Sequence, residues 1–89
     1  PHIRIRAMLL LGKCYDAKNM HDMALRQLEE ANKELIEMND TKKEILYMIG
    51  LLYEKLGKKE KSLAAFQQIY DAEYGYRDVA RRVESSYGS

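Results

Sequence analysis

The sequence predicts an all-α fold in which two antiparallel helix hairpins and a closing helix stack as a right-handed superhelix, an α-α solenoid. Apolar residues recur at intervals of three and four along most of the chain, which is the spacing of amphipathic helices. No stretch alternates polar and apolar residues, and β-branched residues are scarce, so no strand is predicted. One pattern of apolar and turn residues also occurs twice, 38 residues apart, and repeats of about this length are typical of stacked helical arrays.

Composition and length indicate one small domain over residues 1–89. Fifteen basic and fourteen acidic side chains give a net charge of +1, which does not favour nucleic-acid or membrane partners. No apolar run is long enough to insert in a membrane, and no signal peptide is evident. A single cysteine excludes an internal disulfide and favours a reducing compartment, so we expect a cytoplasmic protein. Because the chain begins at Pro1, we expect it to be part of a longer protein.

The first hairpin is predicted from two helical patterns and the turn between them. The first helix covers about residues 3–17, and Asn19, which tolerates a left-handed backbone, marks the turn. The second helix begins at His21. Its apolar spacing continues to about Met38, and we expect the helix to extend that far.

The second hairpin begins at a helix-start motif, since Thr41-x-x-Glu44 matches a capping box. The third helix runs from there to Leu56, where Gly57 provides the C-terminal glycine. The fourth helix is predicted over about residues 59–72. A last short helix over residues 78–86 carries three apolar residues on one face: Val79, Val83 and Tyr87.

The duplicated pattern has a glycine in the middle of a helix, Gly12 in the first copy and Gly50 in the second. Glycine at such a position costs about 1 kcal/mol relative to alanine. We therefore expect a close approach of the partner helix, with the small residues Ala24 and Ser62 facing the two glycines. The structural positions of the repeats are Met8, Leu11, Gly12, Tyr15, Ala24 and Leu28 in the first, and Leu46, Ile49, Gly50, Tyr53, Ser62 and Phe66 in the second.

This pattern resembles that of the tetratricopeptide repeat family. It consists of a large apolar residue, then Leu-Gly or Ile-Gly, then a tyrosine, and a small residue in the next helix. The resemblance places repeat one at about residues 5–38, repeat two at about 43–74 and a capping helix at about 77–87. The period of 38 residues exceeds the family's usual ~34. About four extra residues lie near positions 35–41, either in a longer second helix or in a longer loop between the repeats.

The resemblance implies a non-catalytic protein–protein interaction or scaffold module without a cofactor. In this family the first helix of each hairpin lines a concave surface, so the implied partner-binding groove comprises Arg6, Leu9, Lys13 and Asp16 from the first helix and Glu44, Tyr47, Leu51 and Glu54 from the third. Leu9, Tyr47 and Leu51 would form an apolar strip flanked by charges, on which a peptide could lie. An adjacent repeat or a second copy of the chain could cover the strip instead, and the alternative function is therefore homo-oligomeric self-assembly.

The sequence gives little support for nucleophilic catalysis, metal binding or nucleic-acid binding. Cys14 occupies a position where the family prefers a small residue, so we expect it to be buried rather than nucleophilic. Cys14, His2 and His21 lack metal-ligand spacing, and no metal site is predicted. The C-terminal cluster of Arg77, Arg81 and Arg82 lacks interleaved aromatic residues and is balanced by Asp78 and Glu84, so no nucleic-acid partner is expected.

Overall fold

The computed structural model describes residues 2–87, and its architecture within this range is all-α, as predicted. The first hairpin pairs α1 with α2, the second pairs α3 with α4, the hairpins meet where α2 packs on α3, and α5 packs on α4. Each helix thus packs chiefly on its neighbours in the chain, which is the arrangement of a helical solenoid. The right-handed sense of the superhelix stays a prediction. The helices are α1 (His2–Ala17), α2 (His21–Glu34), α3 (Asp40–Lys55), α4 (Lys59–Ala72) and α5 (Val79–Tyr87).

The turns inside the two hairpins have the same backbone geometry. Asn19 ends the first helix with a φ of 61°, and Gly57 ends the third with a φ of 75°. The next residue in each turn donates its N–H to a carbonyl five positions back: Met20 to Tyr15 at 2.8 Å and Lys58 to Tyr53 at 2.9 Å. This is the pattern of a Schellman motif, and it satisfies carbonyls that the helix end leaves open. The predicted turn residues are therefore confirmed.

The two mid-helix glycines lie where the helices of each hairpin approach most closely. A Cβ atom on Gly12 would lie 2.8 Å from the Leu28 side chain, and one on Gly50 would lie 2.6 Å from the Phe66 ring. Ser62 faces Gly50, as predicted, and its hydroxyl donates a 2.7 Å hydrogen bond to the Gly50 carbonyl. The expected close approach is confirmed. Leu28 and Phe66 occupy the space that a side chain on these glycines would need.

The junction between the hairpins differs from the sequence-based prediction. α2 ends at Glu34 instead of extending to about Met38, so the extra residues of the period lie in the loop. Leu35 has an extended backbone, and Leu35 and Met38 pack against the core from this loop. Their apolar spacing is compatible with a helix, but the same burial is achieved without one. The prediction of a longer second helix was therefore wrong.

The start of α3 also differs, because Asn39 rather than Thr41 caps the helix. The Asn39 side chain accepts a 2.8 Å hydrogen bond from the backbone N–H of Lys42. The Lys42 ammonium then donates to the carbonyls of Asn32 and Leu35, at 3.0 and 2.6 Å, and so satisfies acceptors at the end of α2. Burial lowers the pKa of Lys42 from its ordinary value. The capping-box prediction was wrong, and Lys42 links the two hairpins instead.

The core is concentrated in the second hairpin, and α1 contributes little to it. Ile5 is the one large apolar residue of α1 that is buried among the described residues. Leu11, predicted as a structural position, is 45% exposed, whereas its repeat equivalent Ile49 is 4% exposed. Cys14, expected to be buried, is exposed as well. The expected burial of Cys14 is therefore wrong. Within residues 2–87, no helix packs on the side of α1 that carries Leu11 and Cys14.

The close contact at Gly50 makes its replacement by alanine destabilising. Alanine gains about 1 kcal/mol in helix propensity, but its Cβ would overlap the buried Phe66 ring, and overpacking costs about 1–3 kcal/mol. We expect Gly50→Ala to lower the free energy of unfolding by up to about 2 kcal/mol, which is the overpacking cost less the gain in helix propensity, in urea denaturation followed by circular dichroism. Gly12→Ala should cost less, because the Leu28 side chain can change rotamer more readily than an aromatic ring can move.

The matched control is the double variant Gly50→Ala/Phe66→Leu. If the Phe66 ring causes the loss of stability, the two substitutions should couple favourably in a double-mutant cycle. A Gly50→Ala chain as stable as the original would contradict the close-packing explanation.

Candidate partner-binding surface

Four of the eight predicted groove residues come together in one pocket of about 430 Å³ between α1 and the start of α3. We call it the α1–α3 pocket. Sequence reasoning missed two of its residues, since Leu10 and Thr41 also line it. Its lining residues are Arg6, Leu9, Leu10, Lys13, Thr41 and Glu44.

The α1–α3 pocket combines an apolar wall with opposite charges. Leu10 is 63% exposed, and Leu9 is half-buried against the core. The Lys13 ammonium lies 3.1 Å from a Glu44 carboxylate oxygen and so connects α1 to α3. Arg6 is exposed and has no ion-pair partner within residues 2–87. The pocket therefore offers one unpaired guanidinium beside an apolar surface.

The remaining polar groove residues pair with the chain itself. Asp16 accepts a 3.0 Å hydrogen bond from Lys55, and Glu54 accepts one of 2.9 Å from Arg82. The Nδ1 atom of His21 lies 3.3 Å from the Asp16 carboxylate without hydrogen-bond geometry. Exposed pairs of this kind contribute about 0–1 kcal/mol, so a charged partner can exchange with them.

Tyr47 lies away from the groove surface, contrary to the prediction. The side chain is 8% exposed, and its ring makes edge contacts with Phe66 and Tyr76 at centroid distances of 5.4 and 6.1 Å. Its hydroxyl donates a 2.6 Å hydrogen bond to Asp78, just before α5. The expected exposed strip of Leu9, Tyr47 and Leu51 is therefore interrupted at its centre. No local pattern could have predicted this, because Asp78 is 31 residues from Tyr47.

Asp78 fastens the start of α5 to the second hairpin. Besides Tyr47, its carboxylate accepts hydrogen bonds from Arg81 at 2.8 Å and Arg82 at 3.0 Å. The hydrogen bond from Tyr47 and the neighbouring arginines hold the pKa of Asp78 below its ordinary value. Burial, followed by the hydrogen bond to Asp78, raises the pKa of Tyr47. Arg77 stacks on the Tyr47 ring at 4.9 Å, so all three arginines of the C-terminal cluster make contacts within the fold.

A second pocket, of about 490 Å³, lies between the end of α3, the start of α4 and α5. Its lining includes the apolar residues Leu63 and Phe66 and the acidic residue Glu54. Arg82 and Ser85 also line it. They stand two repeat lengths after Arg6 and Leu9, so they are the positions of α5 that correspond to two predicted groove positions of α1.

Residues 2–87 hold no group of three or more His, Cys, Asp or Glu side chains that could bind a metal ion. In the same range, no helix is both long enough and apolar enough to cross a membrane. The His2 side chain lies outside the described part of the structure. It was considered as a metal ligand together with Cys14 and His21.

The lowered pKa of Asp78 predicts a specific pH dependence of stability. Because the folded pKa is lower than the unfolded value of about 3.9, the stabilising contribution is present above that value and is lost as the pH falls through the folded pKa. We expect Asp78→Asn to lower the free energy of unfolding at neutral pH by about 1 kcal/mol. Urea denaturation at pH 5 and pH 3 should show a smaller acid-induced loss in Asp78→Asn than in the original chain.

Asp71→Asn is the control, because that carboxylate accepts its hydrogen bond from a neutral amide, Gln67. This variant should follow the pH dependence of the original chain. Parallel curves for the original chain and Asp78→Asn would show that ionisation of the Asp78 carboxylate contributes no stability.

Two family models of the tetratricopeptide repeat match the chain, one over residues 6–34 and the other over residues 43–74. A search of curated proteins and of solved structures returned no match. The matched segments correspond to the α1–α2 and α3–α4 hairpins. Tetratricopeptide repeats generally mediate protein–protein interaction and are generally non-catalytic. With two matched repeats and the stacked helical hairpins, this chain belongs to the tetratricopeptide repeat family.

Proposed function

We propose that the chain is a non-catalytic interaction module that binds a short peptide segment of a partner protein in the α1–α3 pocket. The observation that carries this proposal is the meeting of an apolar wall, made by the exposed Leu10 and the half-buried Leu9, with the unpaired guanidinium of Arg6. Both features belong to α1, whose position is set by the close contact of Gly12 with α2.

The pocket's chemistry selects a peptide with an apolar side chain next to a carboxylate. The apolar side chain would cover Leu9 and Leu10 and remove their exposed surface from water, at about 25 cal/mol per Å². The carboxylate would pair with Arg6, whose planar guanidinium can form two parallel hydrogen bonds with it. Together these contacts would determine both the position and the direction of the peptide.

The Lys13–Glu44 pair provides further polar contacts for the peptide backbone or side chains. It joins the two walls of the pocket, and both side chains are partly exposed to solvent. Opening the pair costs at most about 1 kcal/mol. Lys13 could then bind a second carboxylate, and Glu44 could accept hydrogen bonds from peptide N–H groups. Leu51 and Glu54 lie further along α3, where a longer peptide would extend toward α5.

Selection from a library of random linear peptides on the immobilised chain tests this function. We expect selected peptides to share an apolar residue beside Asp or Glu. Fluorescence anisotropy with the full chain should show that Arg6→Glu weakens the best peptide at least about tenfold, or ~1.4 kcal/mol. Leu9→Asp should weaken it as well.

Arg26→Glu provides the matched control, because it makes the same charge change at an exposed position of α2 outside the pocket. It should leave the dissociation constant almost unchanged. Equal losses with Arg6→Glu and Arg26→Glu would indicate nonspecific charge attraction, and a library without binders would exclude this peptide-binding function.

A further inference from the structure

Three tyrosines and two carboxylates lie together on the surface where the end of α4 meets α5. Tyr74, in the loop that joins the two helices, is 68% exposed, and Tyr87 of α5 is 70% exposed. The Tyr70 ring makes an edge contact with the Tyr74 ring at a centroid distance of 6.3 Å. We call this surface the tyrosine patch. It comprises Tyr70, Asp71, Tyr74, Glu84 and Tyr87.

The tyrosine patch is held together by hydrogen bonds between α4 and α5. The Tyr70 hydroxyl donates to Glu84 at 3.0 Å, and the Tyr87 hydroxyl donates to the side-chain oxygen of Gln67 at 3.0 Å. The amide nitrogen of Gln67 donates in turn to Asp71 at 2.8 Å. The hydrogen bond to Glu84 raises the pKa of Tyr70, and the nearby Tyr87 and Asp71 act in the same direction. The members of the patch therefore form one continuous surface.

Both carboxylates of the patch lack a positively charged neighbour. Asp71 accepts a hydrogen bond from a neutral amide and Glu84 from a neutral hydroxyl, and neither forms an ion pair within residues 2–87. The patch therefore carries two uncompensated negative charges beside exposed aromatic rings. By contrast, four other glutamates lie between 2.7 and 3.1 Å from a lysine or arginine: Glu34, Glu44, Glu54 and Glu73.

The internal repeat shows how α5 differs from α3 at this surface. The repeat equivalents of Glu84 and Tyr87 on α3 are Leu46 and Ile49, which are 1% and 4% exposed. An apolar helix packed on α5 would bury the Glu84 carboxylate without a cation, and a buried unpaired charge is costly. The surface is therefore unsuited to an apolar helix and favours a partner that supplies positive charge.

A guanidinium group matches both features of the patch. It can stack on a tyrosine ring, because a cation is attracted to the negative face of the ring. Its planar N–H groups can also form two parallel hydrogen bonds with one carboxylate. A lysine ammonium supplies the charge but has no planar surface for stacking. Anionic partners such as nucleic acids and acidic lipid headgroups would be repelled by Asp71 and Glu84.

We propose that the tyrosine patch is a docking surface for a basic segment of a partner protein. Arginine side chains of that segment stack on Tyr74 and Tyr87 and pair with the neighbouring carboxylates. The α1–α3 pocket favours a carboxylate and the patch favours a guanidinium, so the two surfaces select segments of opposite charge. The inference is independent of which peptide binds the α1–α3 pocket.

Titration of the full chain with two synthetic peptides tests the proposal. One peptide alternates arginine with glycine, and the other alternates lysine with glycine. Backbone amide shifts in two-dimensional NMR locate the bound peptide and give the dissociation constant. We expect the largest shift changes at residues 70–74 and 84–87. The dissociation constant should be at least about threefold lower for the arginine peptide than for the lysine peptide.

A matched pair of double variants separates the patch from general charge attraction. Asp71→Asn/Glu84→Gln removes both charges but keeps an oxygen that can accept each hydrogen bond, so the fold should be retained. It should weaken binding of the arginine peptide at least about fivefold. Asp22→Asn/Glu60→Gln makes the same charge change at exposed positions outside the patch and should leave the dissociation constant almost unchanged.

Two substitutions of Tyr74 test the contribution of its ring. The Tyr74 hydroxyl makes no hydrogen bond within residues 2–87, so Tyr74→Phe should bind the arginine peptide as the original chain does. Tyr74→Ala removes the stacking surface and should weaken binding at least about twofold. Circular dichroism should show the same helix content in all variants.

A chain that binds neither peptide would overturn the proposal, and so would equal losses in the two double variants or unchanged binding by Tyr74→Ala. Two further arms test other occupants, and we expect both to be negative. Cosedimentation with phosphatidylcholine vesicles that Tyr74→Ala abolishes would assign the patch to a lipid surface. A dimer in light scattering that Asp71→Asn/Glu84→Gln dissociates would assign it to a second copy of the chain.

Discussion

The rest of the structure depends on the contact between a glycine backbone and a bulky side chain inside each hairpin. Phe66 lies against α3 where Gly50 has no side chain, and the Ser62 hydroxyl binds the Gly50 carbonyl beside it. Close packing of this kind sets both the separation of the helices and their rotation about their own axes. It therefore decides which residues of α3 face α4, which face α2 and which remain for a partner. The same arrangement in repeat one orients α1 on α2.

Because the two hairpins are built alike, equivalent residues differ in environment only where their neighbours differ. Leu11 and Ile49 are both apolar residues before a packed glycine, yet Leu11 is exposed and Ile49 is buried. The contrast between Cys14 and Leu52 has the same origin. Large exposed apolar surface on one helix face commonly marks an interaction site.

α5 has two effects on the residues of the predicted groove. Through Asp78 it draws Tyr47 into a buried aromatic cluster with Phe66 and Tyr76, which removes the apolar centre of the predicted groove. It also brings Arg82 to Glu54 at the far end of α3. Within the groove, the unpaired charge and exposed apolar surface available to a partner therefore lie at the α1 end. This asymmetry is why the α1–α3 pocket, rather than the whole groove, is the proposed binding site.

The sequence by itself determined the all-α class, the two hairpins, the turns at Asn19 and Gly57 and the close contact at Gly50. These features depend on local periodicity, turn conformation and the size of single side chains. All three can be read from residues that are close together in the sequence. The sequence also identified the residues that line the α1–α3 pocket, apart from Leu10 and Thr41. Only the tertiary structure decided that α2 ends at Glu34, that Tyr47 is buried, and that Leu11 and Cys14 are exposed. These outcomes depend on which helix covers which face, a property of contacts between distant parts of the chain that no local pattern records.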